Sequence, residues 1–362
     1  MRLPLALFAS AALSLAAAHA AQPEATKVFG NWTASCNNLG ACVVIGAAAD
    51  GEGLVYLRLA REAGARAAPV LKLVFGVPDG AEKKGPFDQF RLTALTGKDK
   101  AALAPVPAKA AADDASYISA TLVPGAAMAL IGAIRNADHL EAAIGPEKST
   151  IDLKGFSAAL RFIDDRQGRV GGPTALIAKG MTPPGNIPPP APAPIVTPAP
   201  AGSVEEVTKP AITPALLAAP AADCDADTLA AHEDLKAWSV APDRVLVSVP
   251  CQSGAYNFTG VLYFTNAKGE PLGPVSLPRP AGQDLAGQDA DTPKNAVVNS
   301  DFDPKTMVLS EFAKGRGIGD CGSVTQWVWT GKDFALLSAD AIDACPGGFS
   351  QDWPNLYTAV KR

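Results

Sequence analysis

The residues that could move a proton or hold a cation are few, and their spacing is informative. Asp164-Asp165-Arg166-Gln167-Gly168-Arg169 sets two neighbouring carboxylates beside two arginines. Paired carboxylates can serve acid–base work or bind a metal. Adjacent positions on a helix point in different directions, however, and the arginines are natural ion-pair partners. The expectation is a solvated, charge-balanced helix terminus, and Arg61-Glu62 reads the same way. Beyond the first twenty residues the histidines are His139 and His232, neither beside a nucleophile, and there is no G-x-S-x-G. No catalytic residue is assigned. The hydrolytic alternative rests on Asp164, Asp165 or His139.

Metal and cofactor signals are equally thin. Asp223, Asp225 and Asp227, and again Asp289 and Asp291, have D-x-D spacing, but neither run continues into a calcium loop with its glycine and distal glutamate. The six cysteines, Cys36, Cys42, Cys224, Cys251, Cys321 and Cys345, include no C-x-x-C and have no neighbouring histidine, which argues against zinc. An even number reads instead as disulfides. Two cysteines precede a Pro/Ala-rich stretch and four follow it. Domain-local pairing gives Cys36–Cys42, and chain proximity favours Cys224–Cys251 and Cys321–Cys345. No cofactor site and no metal site is read.

Three stretches could meet a ligand. Gly317-Ile318-Gly319-Asp320-Cys321-Gly322 matches G-x-G-x-x-G in form. A dinucleotide site needs a helix after the glycines, whereas Ser323 to Trp329 alternates as a strand. The glycines therefore read as a tight turn with Arg316 and Asp320 at its rim. Trp327 and Trp329 share a strand face, which suits the core of a small sheet and, as the functional alternative, an aromatic platform. Tyr256 and Asn257 lie in a turn after Cys251. The candidate ligand surface is thus Tyr256, Asn257, Arg316, Asp320, Trp327 and Trp329. A further alternative is a protein inhibitor presenting the loop from Asn37 to Ala41.

The elements that must position these residues are mostly strands. Trp32 to Cys36 and Ala41 to Ile45 flank the turn-forming run Asn37-Asn38-Leu39-Gly40, and a disulfide across that hairpin would fix its register. Leu54 to Arg61, Val70 to Phe75 and Phe90 to Leu95 are further strands. Ala126 to Arg135 carries Met128, Ile131 and Ile134 at helical spacing. A second helix after Gly155 presents Phe156, Ala159, Leu160 and Ile163 on one face and ends near Gly168. Val245–Val249, Gly260–Phe264, Val308–Ser310, Thr325–Trp329 and Phe334–Leu337, joined by glycine-containing turns, form a meander. Residues 181–222 are dominated by proline and alanine and read as a polyproline II spacer or tether.

Met1-Arg2, an apolar run from Leu3 to Ala18 and the triplet Ala18-His19-Ala20 form an export signal cleaved after Ala20. That run is shorter than a membrane span, and no later stretch is apolar and long enough to be one. Loss of Arg2 takes the net charge of −5 to about −6, which disfavours nucleic acid as a partner. Alanine inflates the hydrophobic content of 48%, and aromatics are only 6%, so covalent staples are useful. The expected fold is mostly β with a few short helices. Its parts are a signal peptide over 1–20, a β-rich domain with two short helices over 21–180, a linker over 181–222 and a β-meander domain over 223–362.

Several longer runs carry a resemblance. Phe29-Gly30-Asn31-Trp32-Thr33-Ala34-Ser35-Cys36-Asn37-Asn38, Arg61-Glu62-Ala63-Gly64, Gly155 to Gly171, Thr174 to Gly180, Pro250 to Asn257, Arg316 to Gly322 and Trp327 to Gly331 are together similar to domain-of-unknown-function family 1176. Phe29-Gly30-Asn31-Trp32 and Leu153-Lys154-Gly155-Phe156 also resemble the invasion-associated locus B family, which usually has Asp where Asn31 stands. Both resemblances imply a periplasmic or secreted protein, and neither supplies a reaction. The sequence reading is therefore an exported binding or envelope-interaction protein, periplasmic or alternatively secreted. Its partner would be an envelope protein, peptide or glycan, without a membrane span after cleavage and in an undefined oligomeric state.

Overall fold

The computed structural model describes residues 25–48, 55–76, 87–110, 117–183, 185, 187–232, 235–280, 293–345 and 349–362. The export signal over 1–20, Asp289 and Asp291 lie outside them. The N-terminal half is built on an antiparallel sheet whose strands run, in spatial order, Thr26–Phe29, Trp32–Cys36, Cys42–Ala47, Val55–Arg61, Val70–Gly76, Tyr117–Leu122 and Lys109–Ala110. The hairpin at Asn37–Ala41 places Cys36 opposite Cys42, and a disulfide joins them. A second sheet runs Glu147–Asp152, His139–Ile144, Gln89–Thr96 and Asp99–Ala102.

Helices α1 (Pro124–Ile134) and α2 (Phe156–Arg166) pack on the first sheet. Pro124 starts α1, where the missing N–H costs nothing. The sequence spacing for α2 holds: Phe156, Ala159, Leu160 and Ile163 are all buried. Gly155 precedes it at φ +97°, and a Cβ there would sit 1.9 Å from the Phe29 carbonyl oxygen. Only glycine fits that junction between the first strand and α2.

The first sheet is covered on both faces. One face joins α1, α2 and the second sheet in a core that includes Trp32, Leu57, Leu73, Phe156 and Ile163. The other presents Ile45, Tyr56 and Val74 to Cys321, Ile342 and Trp353 of the C-terminal half. This double cover explains why Trp32–Cys36 is buried along its whole length rather than at alternate residues. Polar groups seal the contact. The Tyr56 hydroxyl donates to Asp352 at 2.6 Å, Lys72 Nζ pairs with the same carboxylate, and the Asn37 side-chain amide donates to Asn355 Oδ1 at 2.8 Å.

The C-terminal half contains two antiparallel meanders. In one, Glu205–Glu206, Lys236–Ala241, Arg244–Ser253, Phe258–Thr265 and Pro271–Pro274 are neighbours in chain order. In the other the order is Asp301–Asp303, Val308–Lys314, Gly322–Trp329, Phe334–Ile342 and Asn355–Thr358. Trp238, Leu246 and Phe264 of the first share a core with Phe302, Leu309, Trp327, Trp329 and Phe334 of the second. Two short helices, α3 (Pro214–Ala218) and α4 (Ala226–Ala231), lie before the first meander's long hairpin. Disulfides join Cys224 to Cys251 and Cys321 to Cys345.

The Pro/Ala-rich stretch is a strap rather than a tether. Ala191 N donates to Leu39 O, Ile195–Val196 pairs in parallel with Val360–Lys361, and Ala199 N donates to Trp329 O. Val196, Ala199 and Val204 are buried in the C-terminal core. An extended proline-rich backbone keeps its carbonyls and its remaining N–H groups unpaired, so it can lie as an edge against a neighbouring strand. Composition shows the extended conformation but not the surface it lies on.

Candidate interaction surface

The charged cluster expected at a solvated helix end is instead one of the most buried parts of the protein. Asp164 and Arg61 have fully buried side chains and pair at 2.7 Å. The second Asp164 oxygen accepts the backbone N–H groups of Leu176 and Ile177. Arg61 Nε donates to Gln167 Oε1 at 2.6 Å, and the Gln167 amide in turn reaches the carbonyls of Gly40 and Arg61. Arg169, also buried, donates to the carbonyls of Gly64 and Ala67 and to Thr174. Burial pulls the Arg61 guanidinium below its usual value, with Asp164 opposing. Asp165, by contrast, is exposed. The two carboxylates diverge as helical neighbours must, but the inward one meets a cation from a distant strand. This network ties the first hairpin, α2 and the 172–177 turn together, and Asp164 has no oxygen left facing a substrate.

The other acid–base candidates do not join it. His139 opens the strand His139–Ile144, in register between Leu95 and Asp152. His232 caps the C-terminus of α4 in the left-handed region at φ 32°, with its Nδ1 against the Ala230 carbonyl. The Asn37–Ala41 loop does not protrude as an inhibitor's loop would. Asn38 Oδ1 accepts Thr358 N while its amide donates to Thr358 O, so the loop is seated on the chain's own C-terminal half.

Of the six residues read as a ligand surface, the structure brings four together and removes two. Trp327 and Trp329 are both fully buried, and Trp327 Nε1 donates to Pro278 O at 2.7 Å. Their strand lies inside a two-sheet core, so they supply burial and form no exposed platform. Tyr256 and Asn257 sit at the tip of the hairpin between Arg244–Ser253 and Phe258–Thr265. Arg316 and Asp320 sit in the loop between Val308–Lys314 and Gly322–Trp329. These tips belong to different sheets yet lie side by side: a Cβ on Gly317 would touch the Tyr256 ring at 3.5 Å.

Asparagine side chains lock the two tips. Asn257 donates to Lys314 O at 2.9 Å and accepts Lys314 N at 3.1 Å. Asn299, at φ 45°, donates to Asn257 Oδ1, Tyr256 O and Phe312 O. Arg316 grips both oxygens of Asp320, and that hydrogen bonding raises the guanidinium's pKa. Asp320, Cys321 and Cys345 offer ligand atoms within 4.8 Å of one another, but the two sulfurs are bonded together and the carboxylate serves Arg316. The group is a braced turn.

What this bracing holds outward is apolar. Tyr256 is 38% exposed, Phe258 60% and Ile318 70%. Phe258 and Ile318 were missed in the sequence, as was Asn299. Ile318 stands alone between glycines, too isolated to be core, and that was the available signal. Asn299 follows the β-prone pair Val297-Val298, a position suited to a left-handed turn residue.

The chain is 32% identical to the Escherichia coli (strain K12) protein described as "Uncharacterized protein YpfG", over 92% of each chain. The crystal structure of invasion associated protein b from Bartonella henselae aligns over 40% of this chain and 98% of that one, at 19% identity and a TM-score of 0.27. A family model matches residues 26–360, and the chain belongs to that family, described as "Protein of unknown function (DUF1176)".

Proposed function

We propose that the protein is an exported, periplasmic binding protein that engages an envelope protein through the rim formed by Tyr256, Phe258 and Ile318. The observation that carries this reading is three large apolar side chains held in solvent on two hairpin tips whose backbones are fixed by asparagine bridges. Complete burial of a Phe or Ile side chain is worth about 1.5–3 kcal/mol, of which Phe258 and Ile318 forgo the larger part, and rigid tips lose little entropy on docking. The three disulfides fit an oxidising compartment. No described helix is long and apolar enough to cross a membrane. Burial of both tryptophans favours a protein or peptide partner over a glycan, which would stack on a flat indole.

The test is size-exclusion chromatography of envelope extracts containing the mature protein or its Phe258→Ser/Ile318→Asp variant. Wild type is expected in a higher-mass species that the variant leaves, with both giving the same circular dichroism spectrum. Identical elution of the two, as monomers or in the same complex, refutes the rim as the contact.

A further inference from the structure

A second site lies on the opposite strand ends of the C-terminal half, away from the rim. Arg244 begins its strand after the Pro242-Asp243 turn, and its guanidinium stacks 3.8 Å over the Phe264 ring. Arg244 Nη1 donates to Lys332 O at 3.2 Å. These two contacts fix the side chain in a cavity of about 420 Å³ that Leu272, Pro274, Val275, Ser276 and Lys332 help to line. The volume falls within the range of small-ligand sites.

Arg244 is held by an aromatic ring and a backbone carbonyl rather than by a carboxylate. Arg58, Arg61, Arg279 and Arg316 each have a carboxylate within 4.0 Å. Among the described residues no carboxylate pairs with Arg244, although the chain holds 36 acidic residues against 31 basic ones. Asp333 also lines the cavity, but its carboxylate accepts from the Thr330 hydroxyl. Asp243 is turned to Ala267 N. Stacking uses the face of a guanidinium and leaves its edge, where the N–H donors lie, free to bind. One of the five donors is taken by the Lys332 carbonyl. Among the described residues no other acceptor pairs with them, and with Lys332 and Asp333 of opposite charge both in the lining, Arg244 leaves the cavity a net positive charge.

The wall opposite is apolar and open. Leu272 is 59% exposed, and Gly273, at φ +136°, has open space where a Cβ would stand. We infer that this cavity binds a small amphiphile whose oxyanion, a carboxylate or a phosphate, sits on the edge of Arg244 and whose short apolar body lies against Leu272, Pro274 and Val275. The charge selects the anion, and the wall selects the stem.

The mature protein, titrated by isothermal calorimetry with hexanoate, hexyl phosphate and hexanol, tests this directly. Saturable binding of hexanoate or hexyl phosphate, and none of hexanol, is expected; whichever anion binds tighter identifies the source. Arg244→Gln should weaken binding about tenfold or more, the loss of a charge-assisted hydrogen-bonded pair. Leu272→Glu, an exposed position, should weaken it by repelling the anion even if Arg244→Gln folds poorly. Absence of saturable binding to the folded wild type, equal binding of hexanol, or affinities unchanged in both variants would overturn the proposal. None of these outcomes bears on the Tyr256–Phe258–Ile318 rim.

Discussion

Replacing Asp164 with alanine would strand the Arg61 guanidinium without a counter-charge in a site where both side chains are wholly buried. It would also remove the acceptor for the Leu176 and Ile177 N–H groups, 2.8 and 3.2 Å from Asp164 Oδ2. Both side chains are wholly shielded from bulk solvent in the native fold. Breaking a buried pair from one side costs about 3–5 kcal/mol. That is a large share of a typical folding stability of about 5–15 kcal/mol. Urea unfolding followed by circular dichroism measures it, with Arg61→Met and the double variant completing a cycle. The double variant no longer strands Arg61, although Arg169 stays buried beside it, so it should lose less than the sum of the single changes, by about 1 kcal/mol or more. A loss below about 1 kcal/mol for Asp164→Ala, or a strictly additive cycle, would refute the network as a structural clamp and reopen Asp164 as a chemical group.

Gly46→Ala should destabilise by about 1–3 kcal/mol in the same assay, because its Cβ would lie 2.5 Å from Trp32 Cδ2 and must displace a buried indole. Tyr56→Phe removes the 2.6 Å hydroxyl bond to Asp352 and should cost about 1.5–3 kcal/mol, read as a lowered unfolding midpoint with near-native spectra. Burial raises the pKa of Glu311 above the usual carboxylate range, with Arg279 and the Val298 N–H opposing. Between its unfolded and its raised folded pKa the folded chain retains a proton the unfolded chain has released, so stability falls as pH rises through that window. Glu311→Gln should flatten that fall in melting temperature measured against pH; an unchanged slope would exclude Glu311 as its source. Cys321→Ala with Cys345→Ala opens a link between residues 24 apart and should cost about 3 kcal/mol in denaturant unfolding.

Much of the local architecture was legible because it obeys spacing. The Cys36–Cys42 hairpin followed from two β-prone runs around Asn37-Asn38-Leu39-Gly40, and the inner face of α2 from Phe156, Ala159, Leu160 and Ile163. The same helical periodicity sends Asp164 inward beside Ile163. What it could not give was Arg61, a partner 103 residues away in the chain, without which an inward carboxylate is unreasonable. The solvated terminus was thus the sensible local answer, corrected by tertiary pairing. Residues 181–222 show a related limit of local reading: proline content favours an extended backbone, but Val196 and Ala199 are buried only because a core lies beneath them. For the candidate surface, turn chemistry pointed to Tyr256, Asn257, Arg316 and Asp320 separately. Their adjacency depends on two sheets packing face to face, which is also what buries Trp327 and Trp329.

The Tyr256–Phe258–Ile318 rim is the proposed contact surface. Its most direct test places a photoreactive benzoylphenylalanine at Phe258 and, as a control, at Val28, which is comparably exposed at 56% on the edge of the N-terminal sheet. After irradiation of intact cells, a discrete envelope-protein adduct is expected at Phe258, absent at Val28 and lost when Ile318→Asp is added. Adducts that are the same at both positions, or none at Phe258, would contradict it.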